Sequence, residues 1–109
     1  MAGRAHLPAD ERRRVAQLHA LLNEPGLIHG SLQTSRRRCG RAGCHCAQGE
    51  LHESFSLRVV EGGRQRSIHV PSDWLERVRQ WLERDREIRG LLQELSTSYV
   101  ARVRRRDEE

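Results

Sequence analysis

The sequence predicts an α+β fold: an N-terminal helix, a small antiparallel sheet of about three strands carrying a zinc knuckle, and a long C-terminal amphipathic helix. Three observations carry that expectation. Apolar residues recur at helical spacing near both ends of the chain, two central runs alternate apolar with polar residues around a Gly-Gly pair, and every cysteine lies within residues 39–46.

The stretch LPADERRRVAQLHALLNEPG begins with Pro8 near a first helical turn, places Val15, Leu18 and Leu22 on one stripe, and stops at Pro25-Gly26. It predicts a helix over residues 8–23, with Arg12 to Arg14 on its solvated face. LIHGSLQTSRRR is short of helix signals and reads as a strand from Ile28 to Arg37. In SFSLRVV, Phe55, Leu57 and Val59 alternate with Ser54, Ser56 and Arg58; in RSIHV, Ile68 and Val70 alternate with Ser67 and His69. Between the runs stands Glu61-Gly62-Gly63-Arg64, whose glycines supply the positive φ angles of a tight hairpin turn. This predicts a half-buried sheet with a polar outer face.

Pro71 closes the last strand, and Asp73 with Glu76 three residues later forms a capping-box-like helix start. Beyond it Trp74, Val78, Trp81, Ile88, Leu92, Leu95 and Tyr99 follow steps of three and four, interrupted only at Asp85. The helix is expected to reach Arg104, roughly 45 Å at 1.5 Å per residue, with Gly90 marking a bend. The spacings Asp73–Arg77 and Asp85–Arg89 assign those residues to a solvated face. Such a helix outruns a three-stranded sheet. Its second half, with Ile88, Leu92, Leu95 and Tyr99, is expected to meet the N-terminal helix, a second copy in a homodimer, or a larger partner. With no repeat or low-complexity linker, residues 1–109 are expected to form one domain: helix at 8–23, knuckle and sheet at 28–71, long helix at 73–104.

Composition bounds what this fold can do. Only 36% of the chain is hydrophobic, so the core is thin and a metal or partner is a plausible source of stability. All twenty basic residues are arginine, and the net charge is +5. Residues 30–70 hold Arg36, Arg37, Arg38, Arg41, Arg58, Arg64 and Arg66 against Glu50, Glu53 and Glu61, so four of the five surplus charges lie there. A positive field concentrated on one segment suits a polyanion such as nucleic acid. MAGRAHLPADERRR has no signal-peptide core, and no stretch is long and apolar enough for a membrane span. A cytoplasmic protein with no membrane partner is expected, in a compartment where three thiols do not form a stable disulfide.

Cys39, Cys44, Cys46 and His52 spell C-x4-C-x-C-x5-H, and three thiolates with one imidazole are a standard structural zinc set. In an extended CHC segment Cys44 and Cys46 point to one side and His45 to the other, which favours His52, beyond the Gly49 loop, as fourth ligand. His29 and His69 would serve only if the sheet brought them close. Such a site carries about one negative charge, and Arg36 to Arg38 and Arg41 would offset it. Iron remains an alternative metal. Two readings without a metal also stand: redox or thiol chemistry, although no C-x-x-C pair is present, and cysteines buried as small apolar groups, although GRAGCHCAQGE is polar for a core.

RRRCGRAGCHCAQGELH followed by ESFSLRVVEGGRQRSIHVP resembles a functionally uncharacterised prokaryotic family of small proteins, a domain of unknown function. Its members read approximately CGKxxCxCxxGxxHGPYYYLS, then a Gly-rich turn, a basic strand ending in VP, and a long helix. The resemblance runs from about Gly30 to Leu95 and matches the four-ligand spacing. Some members lie near transposase or other mobile-element genes, which implies DNA. This chain departs at His52-Glu53-Ser54-Phe55, where relatives have HGPY: Phe replaces the stacking Tyr, and the Gly-Pro turn is gone.

The expected function is a zinc-stabilised nucleic-acid-binding accessory protein, with DNA ahead of RNA. The alternative is an interaction module whose long helix binds a transposase or recombinase. An enzyme has least support, because four protein ligands close the metal and no nucleophile or carboxylate constellation stands beside it.

Overall fold

The computed structural model describes residues 8–37 and 52–105. In chain order these form α1 (Ala9–Asn23), β1 (Ser31–Arg37), β2 (His52–Glu61), β3 (Arg64–Val70), a 3-10 turn (Ser72–Trp74) and α2 (Leu75–Arg105). The fold is α+β, with one antiparallel sheet in the order β1-β2-β3. The chain divides into two compact units, residues 28–82 and residues 1–27 with 83–109. None of the described helices is long and apolar enough to cross a membrane.

In the sheet unit, the alternation in β2 becomes a division between faces. Leu57 and Val70 join Val78 and Leu82 from the start of α2 as a buried cluster, against which Ile28, Leu32, Phe55, Val59 and Leu75 pack. The β2–β3 turn has the left-handed glycines its sequence demands, with φ of 56° at Gly62 and 78° at Gly63. The expected capping box is replaced by other geometry. Asp73 lies inside the 3-10 turn rather than ahead of the helix, Pro71 takes the N-cap position, and the Trp74 amide donates to the Pro71 carbonyl at 2.9 Å with no side-chain cap. Trp74 meets Trp81 edge-on at 6.2 Å, and the Arg77 guanidinium stacks 4.4 Å over Trp74.

The helix-pair unit joins α1 to residues 83–105 of α2. Its partners run in opposite directions: Glu11 bonds Ser98 and Arg102, Arg14 reaches Glu94 at 3.6 Å, and Arg84 donates to the carbonyls of Pro25 and Gly26. Two sequence expectations need correction here. The α1 stripe was expected through Val15, Leu18 and Leu22, but Leu22 is exposed and Glu11 takes the buried position, at 2% exposure. Its Oε2 accepts from Ser98 Oγ at 2.7 Å and Arg102 Nη2 at 2.6 Å, which is what makes the carboxylate tolerable there. Asp85, expected on a solvated face, is 4% exposed and accepts from Arg89 Nε at 3.0 Å. α2 is continuous through Gly90.

Candidate nucleic-acid interface

Strand register sorts the candidate residues by face, because side chains alternate along each strand. Arg58 pairs with Ser31 on one side and Ser67 on the other, and Ser56 lies between Gln33 and His69. Ser35 with Ser54 and Val60 with Gln65 continue this outward face, whereas Phe55, Leu57 and Val59 point to the core. The strand acids Glu53 and Glu61 have the core-facing parity. Among the described residues the outward face is therefore free of acidic residues, with serines, amides and His69 around a central arginine.

The seven arginines proposed from sequence do not share one face. Arg36, Arg64 and Arg66 pair with Glu53, Glu61 and Val59 and have the core-facing parity; Arg58 has the outward one. Arg36 also faces Glu53 at 3.6 Å, with both side chains exposed, so solvent and a neighbouring acid temper its charge. The arginines also separate along the sheet. β2 runs from His52 to Glu61, about 30 Å at 3.4 Å per residue, with Arg36 near one end and Arg64 and Arg66 near the other. Arg38 and Arg41 lie outside the described residues, and Arg37 is described by its backbone pairing alone.

Cys39, Cys44 and Cys46 also lie outside the described residues. The backbone on either side of them is described: Arg37, the last residue of β1, pairs with His52, the first of β2. Residues 38–51 thus join two strand ends that face one another, and His52 stands opposite a position two residues before Cys39. His69 pairs with Ser56, four residues further along β2, and His29 precedes β1 at its far end. Among the described residues no three His, Cys, Asp or Glu side chains converge as a metal site.

On α2 the expected partner-facing residues divide. Ile88 is buried and Leu95 half-buried, while Leu92 and Tyr99 are 51% and 44% exposed. Val103, which the sequence reading left out, is 75% exposed and extends their stripe at the right spacing. On the sheet, sequence reasoning missed Val60, an apolar residue on the polar face, 70% exposed. The doubled Val59-Val60 was the available signal, since strict alternation calls for a polar residue at 60. Phe55, the residue that departs from the resembled motif, lies on the core-facing side with the Arg79 guanidinium 5.8 Å from its ring.

Comparison with known proteins gives a single result. Residues 7–80 match the family described as Domain of unknown function (DUF6788). No curated protein and no solved structure matches the chain.

Proposed function

For a chain that belongs to the DUF6788 family, we propose a zinc-stabilised nucleic-acid-binding function, with DNA ahead of RNA, exercised through the outward face of the sheet. The observation that carries this reading is the acid-free face itself. Glu53 and Glu61 fall on the other side of β2, leaving Arg58 among Ser31, Ser56, Ser67 and His69. A guanidinium set among hydroxyls suits phosphate oxygens, which supply affinity that falls with salt.

Zinc supports this face from its end. Three thiolates and one imidazole suit a tetrahedral ion, and the Arg37–His52 pairing tethers the cysteine segment to both strands. Metal bound there would hold β1 against β2, so binding free energy would become folding free energy. This is a binding role, with no reaction assigned to the metal.

The test has two readouts on full-length protein. Elemental mass spectrometry is expected to find one zinc per chain, lost in Cys39→Ser and His52→Ala. Retention on DNA is expected to fall steeply with salt, and Arg58→Ala to weaken it more than Arg64→Ala or Arg66→Ala. DNA binding indifferent to Arg58 would remove the outward face from consideration.

A second reading has its own observation. Leu92, Tyr99 and Val103 make an exposed apolar stripe on α2, which favours an interaction module for a larger partner. The mobile-element setting implied by the resemblance would make that partner a transposase or recombinase. Under this reading Leu92→Glu with Val103→Glu abolishes assembly and leaves DNA retention unchanged.

A further inference from the structure

At one corner of the outward face the sheet is notched. β1 begins at Ser31, opposite Arg58, while β2 runs three residues further to Glu61. The chain leaves the sheet at Gly30, which lies so close to β2 that a Cβ there would overlap the Arg58 carbonyl oxygen and lie 2.9 Å from Cγ1 of Val59. The result is a cleft of about 260 Å³ bounded by His29, Ser31, Arg58, Val60 and Gln65, with Gly30 and Val59 completing its wall. Ser31, Arg58, Val60 and Gln65 all have the outward register, so the cleft opens on the acid-free face.

Its chemistry is specific. Among the described residues its side chains include one guanidinium, one amide with both donor and acceptor, one hydroxyl and one imidazole, and no acid. Beside them stands Val60, the single apolar residue among the outward positions of β2 and the one most at odds with its surroundings. A phosphate alone gives no use for an exposed valine. A nucleobase does: it is flat and apolar on its faces, polar on its edge, and joined to a phosphate. Guanidinium planes stack on unpaired bases, and Gln can pair bidentately with a base edge. The volume is below the roughly 300–1,000 Å³ of drug-sized ligand pockets, which suits one base rather than a larger ligand.

We infer that this cleft takes one unpaired nucleobase, stacked between Arg58 and Val60 and read on its edge by Gln65, so that the protein prefers single-stranded to duplex nucleic acid. The inference rests on the nucleic-acid reading above and deepens it. In a duplex the faces of the bases are hidden in the stack, and only a base outside the stack can present a face to Val60 and an edge to Gln65 at once.

The experiment measures binding of the full-length, zinc-loaded protein by fluorescence anisotropy to a labelled mixed-sequence single-stranded DNA and to the same strand annealed to its complement, over a series of salt concentrations. The single strand is expected to bind about tenfold more tightly, the scale set by stacking one base. Val60→Ser and Gln65→Ala are each expected to remove most of that preference, lowering single-strand affinity far more than duplex affinity. Both positions are exposed, and far-UV ellipticity checks that each variant is folded. Arg58→Ala is expected to weaken both ligands. Equal affinity for the two ligands, or a preference that survives both Val60→Ser and Gln65→Ala, overturns the base-binding cleft and leaves the nucleic-acid reading standing. Failure to bind either ligand at low salt overturns both.

Discussion

In the sheet unit the buried side chains are Leu57, Val70, Val78 and Leu82; in the helix-pair unit they are Leu18, Ile88, Glu11 and Asp85, all among the described residues. The first interior is wholly apolar and is stabilised by removing hydrocarbon from water, at about 25 cal/mol per Å². The second spends half its buried positions on carboxylates. These stabilise little by burial alone and must recover their desolvation from Ser98, Arg102 and Arg89. The sheet unit can therefore tolerate changes of shape that preserve volume, whereas the helix pair depends on particular partners. The sheet unit also carries the proposed binding face, whose exposed residues contribute little to its core and are free to serve a ligand.

The largest expected effect breaks the polar side of this comparison. Glu11→Ala removes the acceptor of Ser98 and Arg102 and leaves a guanidinium in a largely enclosed site, at a cost of about 3–5 kcal/mol. Replacing both members, Glu11→Leu with Arg102→Met, is expected to return stability to within about 1 kcal/mol of the parent or above it. Urea unfolding followed by far-UV ellipticity measures both. A loss below about 1 kcal/mol in Glu11→Ala would show the carboxylate hydrated in solution.

The same contrast explains what the sequence made legible. Alternation in β2 and β3 is a local signal that follows directly from the pleat, and Gly62-Gly63 is a local demand of the turn. Those elements, and the extent of α2, were readable to within a few residues; its buried stripe was not, since Leu82 and Asp85 are buried while Trp74, Leu92 and Tyr99 are exposed. Glu11 was not, because its partners lie 87 and 91 positions away. A carboxylate beside Asp10 and a run of arginines reads as solvated until the antiparallel helix is in place. Asp85 misled for a related reason: its i,i+4 partner Arg89 was correctly identified, but an ion pair alone does not say which side of a helix it occupies. At the binding face, alternation placed Arg58 and the serines outward. The division of the other arginines was already implicit in residue parity and emerged only when register was applied to each of them. The notch at Gly30 needed the relative ends of β1 and β2, which no local pattern encodes.

The next effect tests the apolar side. Leu82, 3% exposed in the sheet-unit cluster, is expected to cost about 3 kcal/mol when cut back to Ala and under about 1.5 kcal/mol when replaced by Met. Trp74 and Trp81 both belong to this unit, so intrinsic fluorescence during denaturation follows it. Equal losses for Ala and Met would mean that the interior is too tightly fitted for volume alone to govern it.

The smallest effect sharpens the comparison with one residue type placed in both units. Gly30 in the sheet unit has no room for a methyl group, since the Arg58 carbonyl and the Val59 side chain occupy the space; Gly90 in the helix pair has nothing among the described residues within 4 Å of the corresponding position. Gly30→Ala must move backbone against backbone and is expected to destabilise by about 1–3 kcal/mol, the usual range for overpacking. Gly90→Ala adds no contact and restricts the unfolded chain, so it is expected to stabilise by about 0.5–1 kcal/mol and raise Tm by a few degrees. Opposite signs for the same substitution would show that the glycine at 30 is there for a close approach that shapes the cleft, while the glycine at 90 has no packing reason among the described residues. If Gly90→Ala also destabilised, position 90 would be in contact with something other than the described residues.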